Sequence, residues 1–161
     1  MAKEVELKLK EGDNAPEFAG TTNSGEKLAL MDLKGGPVVL YFYPKDDTPG
    51  CTVQACGLRD AYDDFKRAGA VVLGVSPDPV KSHVKFIEKH LLPFTLLADE
   101  DKAIAQAYGV WGEKSFMGRK YMGNHRVTFL IGPDGRIAKI WPAVKPETHA
   151  SEVLEAIRAL K

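Results

Sequence analysis

Seven consecutive residues, Pro37-Val38-Val39-Leu40-Tyr41-Phe42-Tyr43, are apolar without alternation. Successive side chains of a strand point to opposite faces, so a run that is apolar at both parities has to be covered on both sides. That suits a central strand with helices on each face. Gly35-Gly36 punctuates the chain before the run. Directly after it comes Pro44-Lys45-Asp46-Asp47-Thr48-Pro49-Gly50-Cys51-Thr52-Val53-Gln54-Ala55-Cys56, which holds both cysteines and leads into helical spacing. The chain thus sets a thiol at a strand-to-helix corner, a chemically exposed place for a residue that usually hides.

The flanking segments build the layers that such a strand needs. Residues 5–20 read as irregular up to a first short strand at 18–21. A second, at 27–30, is joined to it through Asn23-Ser24-Gly25, forming an N-terminal hairpin. Leu58, Ala61, Tyr62 and Phe65 recur at helical spacing over residues 49–67, and Gly69 stops that helix. A buried strand over 70–76, a helix over 79–90 ended by Pro93, a strand over 94–98 and a short helix over 101–108 follow. Residues 109–123, rich in glycine and aromatics, read as a loop. Strands at 127–131 and 137–141 flank the hairpin signal Gly132-Pro133-Asp134-Gly135. A closing helix over 148–160 buries Val153, Leu154, Ile157 and Leu160. This alternation predicts an α/β sandwich around a central mixed sheet flanked by helices.

Size and charge narrow the function classes. A chain of 161 residues fits one domain, spanning 1–161, without metal or disulfide staples. Its 22 basic and 22 acidic residues cancel with no basic block, so neither a nucleic-acid nor a membrane partner has electrostatic support. Met1 to Glu6 lacks the apolar core of a signal peptide and no run reaches membrane-spanning length, so the expected location is the cytoplasm. Two cysteines in a reducing compartment are free thiols, metal ligands or redox groups rather than a disulfide framework. His83, His90, His125 and His149 show no metal-ligand spacing with the cysteines, so no metal and no cofactor is expected.

Thr48-Pro49 is a helix start, with threonine at the N-cap and proline at the first helical position. Cys51 then falls in the first turn, where unpaired N–H groups and the helix dipole stabilise thiolate over thiol. Gly50 lets the backbone approach whatever sits beside the sulfur. Along a helix, the five steps from Cys51 to Cys56 rise about 7.5 Å and turn about 140°, leaving the Cα atoms about 8–9 Å apart. A disulfide needs them within about 7 Å. A redox pair here therefore requires the first turns of the helix to unwind. Cys51 projects with Leu58 and Tyr62 towards the core, whereas Cys56 lies on the more polar side with Asp60 and Arg67. Taken alone, Cys56 fits a small buried hydrophobe better than a functional group.

Pro44-x3-Thr48-x2-Cys51 matches the peroxiredoxin active-site pattern, and Tyr43-Pro44-Lys45-Asp46-Asp47-Thr48-Pro49-Gly50-Cys51-Thr52 resembles its Q-type branch, also called bacterioferritin comigratory protein. The similarity extends through Gly74-Val75-Ser76-Pro77-Asp78, Ala107-Tyr108-Gly109-Val110-Trp111-Gly112-Glu113-Lys114 and Arg126-Val127-Thr128-Phe129-Leu130-Ile131. The resemblance implies a thioredoxin-like fold and a thiol peroxidase acting on hydrogen peroxide and organic hydroperoxides. Cys51 matches the peroxidatic cysteine, oxidised to sulfenic acid. Cys56 matches the resolving cysteine of part of the branch, closing an intramolecular disulfide that a thioredoxin-like reductant reopens. Relatives in this branch are often monomers, so a monomer is expected.

The resemblance also assigns supporting roles. Arg126 would favour the thiolate and polarise the peroxide; Thr48 would offer its hydroxyl to sulfur or peroxide. The Gly50–Cys51 N–H groups complete a cradle for developing charge, and Pro44 would shield the sulfur. Tyr43 reads as core, and Gln54, one turn from Cys51, as an orienter of Arg126 or part of a solvated face. On residues alone, Thr48 reads as an N-cap and Arg126 is better read as an ordinary surface arginine before a strand; only the resemblance reverses the second. His125 has no expected role. The Gly-Gly-Leu-Gly loop and C-terminal Tyr-Phe of overoxidation-sensitive relatives are absent, which implies resistance to sulfinic acid formation. A thiol–disulfide oxidoreductase would need C-x-x-C, and a binding module would leave the Thr-Pro-Gly-Cys corner and Arg126 without use.

Overall fold

The computed structural model describes residues 7–160; the residues at the N-terminus from which a missing leader was read lie outside that range. Strand β3 (Val38–Phe42) is buried at every position and lies inside a seven-stranded sheet. It pairs in parallel with β4 (Val71–Ser76), which pairs in parallel with β5 (Thr95–Ala98). On its other side β3 pairs antiparallel with β8 (Val127–Ile131), which continues antiparallel into β9 (Ile137–Trp141). The N-terminal hairpin, β1 (Ala19–Thr22) and β2 (Lys27–Ala29), adds antiparallel to β5. The order is β2-β1-β5-β4-β3-β8-β9, the mixed sheet expected from the sequence.

The pleat of β3 divides the core. Val39, Tyr41 and Tyr43 enter one cluster with Cys51, Leu58, Phe65, Phe86 and Ile157. Val38, Leu40 and Phe42 enter the other with Val75, Ile104, Tyr108 and Phe129. The helices are not shared equally between the two faces. The β3-to-β4 connection carries α1 (Pro49–Asp60) and α2 (Tyr62–Arg67), and the β4-to-β5 connection carries α3 (Val80–His90). Both crossovers step in one direction along the sheet, and their common right-handedness places the helices on one face. The closing helix α5 (His149–Arg158) packs beside α1 on that face. The opposite face is covered by α4 (Ala103–Ala107), a 3-10 turn at Leu30–Leu33 and the irregular N-terminal segment around Ala15 and Phe18.

Three sequence expectations need correction. The single helix over 49–67 is broken at Ala61 (φ −97°, ψ 5°), because α1 lies against α5 while α2 turns onto β4. Helix α3 closes at His90 as expected, but Leu91 in the left-handed region (φ 53°) ends it rather than Pro93. Residues 109–123 are no loop: β6 (Trp111–Phe116) and β7 (Arg119–Asn124) form a separate two-stranded sheet. Met117 and Gly118 turn it at φ 50° and 80°, the conformation of a two-residue primed turn. Much of β7 is solvent-exposed, so the ladder forms without the apolar alternation that marks a half-buried strand.

The sheet centre needs one glycine. A Cβ on Gly74 would stand 2.7 Å from both Leu96 Cδ2 and Tyr41 Cζ, so the Tyr41 ring occupies the space a side chain there would take.

Candidate active site

Helix α1 begins as Thr48-Pro49 predicts, with Thr48 at the N-cap in extended backbone (φ −89°, ψ 156°). Its hydroxyl departs from the expected cap. Thr48 Oγ1 donates to the Lys45 carbonyl oxygen at 2.9 Å, and no side-chain bond closes the helix end. The hydroxyl proton is committed within the loop, which leaves the oxygen to act as an acceptor.

Cys51 is 1% exposed: the corner position suggests display, but the helical spacing that turns Cys51 with Leu58 towards the core prevails. The first turn of α1 lies on the sheet, where Cys51 joins the cluster of Tyr41, Tyr43, Ala55 and Leu58. Arg126, immediately before β8, approaches the sulfur. Its Nη2 donates to Cys51 Sγ at 3.4 Å and its Nη1 to Gln54 Oε1 at 2.7 Å. Gly50 makes room for this: a Cβ there would lie 3.0 Å from Nη2, with Pro146 Cγ 4.0 Å away. Gln54 is buried, which excludes the solvated-face alternative, and its Nε2 has no partner among the described residues.

Cys51 and Cys56 are both free thiols, the second half-buried. Because α1 is continuous from Pro49 to Asp60, helical geometry keeps their Cα atoms about 8–9 Å apart. The two sulfurs cannot join in this conformation.

The loop between β3 and α1 is held from outside itself. The buried Tyr43 donates from its hydroxyl to Asp46 Oδ1 at 2.6 Å; burial raises that phenol well above its ordinary range. Tyr43 is therefore core, as the sequence suggested, and also a tie to the loop. Half-buried Pro44 follows it. Asp46 accepts from Ser82 Oγ at 2.8 Å and contacts His83 Nδ1 at 2.7 Å, while its backbone N–H donates to Asp78 Oδ2 at 2.8 Å. Asp47 sits in the left-handed region (φ 59°) and accepts from Lys89 Nζ at 2.8 Å, with His90 Nε2 at 3.1 Å. These two partners lower its carboxyl below the usual range.

Sequence reasoning passed over Asp46, His83, Asn124 and Lys114. Asn124 Nδ2 donates to the Tyr43 carbonyl oxygen at 3.3 Å, and Lys114 Nζ donates to the Asn124 carbonyl oxygen at 2.9 Å. Burial, then the nearby Arg126 charge, lowers the Lys114 ammonium. Glu113-Lys114 belonged to a recognised motif, but only the hairpin brings Lys114 towards the site. His125 places Nε2 3.2 Å from the Glu113 carbonyl oxygen, away from the sulfur contacts. Among the described residues no group of three or more His, Cys, Asp or Glu could hold a metal ion, and no helix is long and apolar enough to cross a membrane.

A helix N-terminus and an oriented guanidinium beside a sulfur can stabilise negative charge on that sulfur and on an atom next to it. The AhpC/TSA family model matches residues 11–140. Peroxiredoxin Bcp of Escherichia coli is 51% identical over 150 residues, covering 93% of this chain and 96% of that protein. Its Bacillus subtilis counterpart is 47% identical over 147 residues, covering 91% and 94%. Among solved structures, Xanthomonas campestris peroxiredoxin Q matches with a TM-score of 0.84 at 39% identity, covering 89% of this chain and 90% of its own. The bacterioferritin comigratory protein of the same organism, whose structures address its alkyl peroxide reduction activity, matches at 0.85 and 36% identity, covering 96% and 98%. The sandwich described above is the thioredoxin-like fold of these neighbours, and the chain belongs to the AhpC/TSA family, in its peroxiredoxin Q (Bcp) branch.

Proposed function

We propose that this chain is a thiol peroxidase that reduces hydrogen peroxide and organic hydroperoxides through Cys51. The observation that carries the reading is the contact of Arg126 Nη2 with Cys51 Sγ at 3.4 Å, at the first turn of α1. The alkyl peroxide reduction of the Xanthomonas campestris relative supports the substrate class. The Cys51 thiolate attacks one peroxide oxygen: the S–O bond forms, the O–O bond breaks, and the departing oxygen leaves as water or alcohol after taking a proton. Sulfur is oxidised to sulfenic acid as the peroxide is reduced. Arg126 and the N–H groups at the start of α1 face the charge that appears on the oxygens, with Gln54 orienting the guanidinium. Thr48 accepts rather than donates, since its proton is held by Lys45.

Cys56 then attacks the sulfenic sulfur, forming the S–S bond and releasing water. This step needs α1 to open between the two residues. Both thiols lie on one helix, so an isolated monomer completes the cycle. A thioredoxin-like dithiol returns the disulfide to two thiols by exchange. The direct test is peroxide turnover by Cys51→Ser: none is expected, and surviving activity would sink the mechanism. Cys56→Ser is expected to be oxidised once and then fail to recycle through an internal disulfide.

A further inference from the structure

We propose that His83 is a positioning residue for the reactive corner, acting through Asp46; this rests on the reading of Cys51 as the peroxidatic residue. His83 is 0% exposed in α3 and cannot itself meet a peroxide. Both of its ring nitrogens face oxygen. Nε2 lies 2.9 Å from the Leu97 carbonyl oxygen, which can only accept, so that nitrogen carries a proton. Nδ1 lies 2.7 Å from Asp46 Oδ2, and that contact holds a second proton between ring and carboxylate. Asp46 also accepts from the Tyr43 hydroxyl on Oδ1 and from Ser82 on Oδ2, so each of its oxygens has a partner. Ring and carboxylate together form a neutral, fully hydrogen-bonded buried pair. Such a pair is stable when complete and costly when one member is removed.

What the pair holds is the loop that leads into Cys51. Asp46 stands two residues before Thr48 and five before Cys51. Between the Tyr43 N–H on the Val75 carbonyl and the Thr52 N–H on the Thr48 carbonyl, the loop's ties among the described residues are chiefly side-chain bonds. Asp47, the next residue, has positive φ, a conformation kept only where surrounding contacts enforce it. The clamp comes from β5, α3 and the turn between β4 and α3: Leu97 fixes the ring, the ring fixes Asp46, and Asp78 fixes the Asp46 backbone. Loosening it displaces Thr48 and the start of α1, where misplacement by about 1 Å can cost about 100-fold in rate.

Two amides separate the two halves of the clamp. His83→Asn can reach the Nδ1 position and keep Asp46, losing Leu97; His83→Gln can reach the Nε2 position and keep Leu97, losing Asp46. Each loses one buried hydrogen bond. A purely structural role would therefore lower both melting temperatures similarly and leave the rate per folded molecule unchanged. The readout is the second-order rate constant for Cys51 oxidation by hydrogen peroxide, followed by mass in a Cys56→Ser background. We expect a fall of about ten-fold or more with glutamine and no more than about three-fold with asparagine. Parent-like rates with glutamine, or equal losses in both variants, overturn the proposal. If the parent is not oxidised at Cys51, the reading of Cys51 falls and this one with it; an oxidised parent with an unaffected glutamine variant removes the clamp alone. Should a variant fail to fold, the proton NMR spectrum of the otherwise unaltered protein decides. Two hydrogen-bonded protons at the His83 ring uphold the clamp, and a single one overturns it.

Discussion

Arg126→Met keeps much of the side-chain volume while removing the donor 3.4 Å from Cys51 Sγ and the tie to Gln54. Two full charges at 3.4 Å interact by about 5 kcal/mol at an effective dielectric constant of 20. Arg126 is only half-buried, so water screens part of that. A hydrogen bond to a charged group, about 1.5–3 kcal/mol, is the better measure. Losing about 2–3 kcal/mol from the transition state slows Cys51 oxidation about 30- to 150-fold. Stopped-flow oxidation of a Cys56→Ser protein by hydrogen peroxide isolates that step from resolution. Arg126→Lys keeps the charge but not the fork that spans sulfur and Gln54, so it should fall between the methionine variant and the parent. Gln54→Met keeps the guanidinium and loses only its orienter, with an expected loss of about 3- to 10-fold. An Arg126→Met rate within about three-fold of the parent would refute the electrostatic role.

Three further outcomes follow from other parts of the structure. Gly74→Ala forces a methyl to within 2.7 Å of Tyr41 and Leu96, and overpacking of that kind costs about 1–3 kcal/mol. The melting temperature should drop by about 2–12 °C, and an unchanged value would contradict the packing described. Burial, then the Arg126 charge, holds the His149 imidazole down at about 4, against about 6.5 in an unfolded chain. The unfolded state then binds more protons between those values, so stability is lost as pH falls from about 6.5 towards 4, by about 3 kcal/mol when complete. Urea unfolding of His149→Gln should lack that part of the slope, and an identical profile would refute it. Oxidation by peroxide should lower helicity and raise proteolysis around residues 51–60, and an oxidised form with α1 intact would refute the required opening.

The layers were legible wherever burial imposes a period. The two parities of β3 fill two separate clusters, as a run apolar at both parities requires, and β8 and β9 stand where the Gly-Pro-Asp-Gly turn placed them. The β6–β7 hairpin was not legible, because exposed β7 has little apolar alternation and Met117-Gly118 is not a usual primed-turn pair. Nor was the break at Ala61, which no glycine or proline marks and which comes from packing against two different partners. At the site, the residues that touch the sulfur could be reached through a motif, Cys51 by its place after Thr-Pro-Gly and Arg126 by resemblance. The residues that hold the loop could not. Asp46 and His83 are 37 positions apart, and nothing local to either predicts that the fold will join them. The sequence also suggested an exposed thiol. A strand-to-helix corner marks where a first turn begins, while what covers it is decided by Arg126 and the sheet beneath.

The chemistry of Cys51 and Cys56 is tested most directly by which sulfur atoms change when peroxide arrives. Mass spectrometry of the reduced protein, before and after one equivalent of hydrogen peroxide, reads that change. The expected product is lighter by two hydrogens, with a Cys51–Cys56 link in its proteolytic fragments. A Cys51 that remains a thiol while peroxide is consumed would contradict the mechanism at its first step.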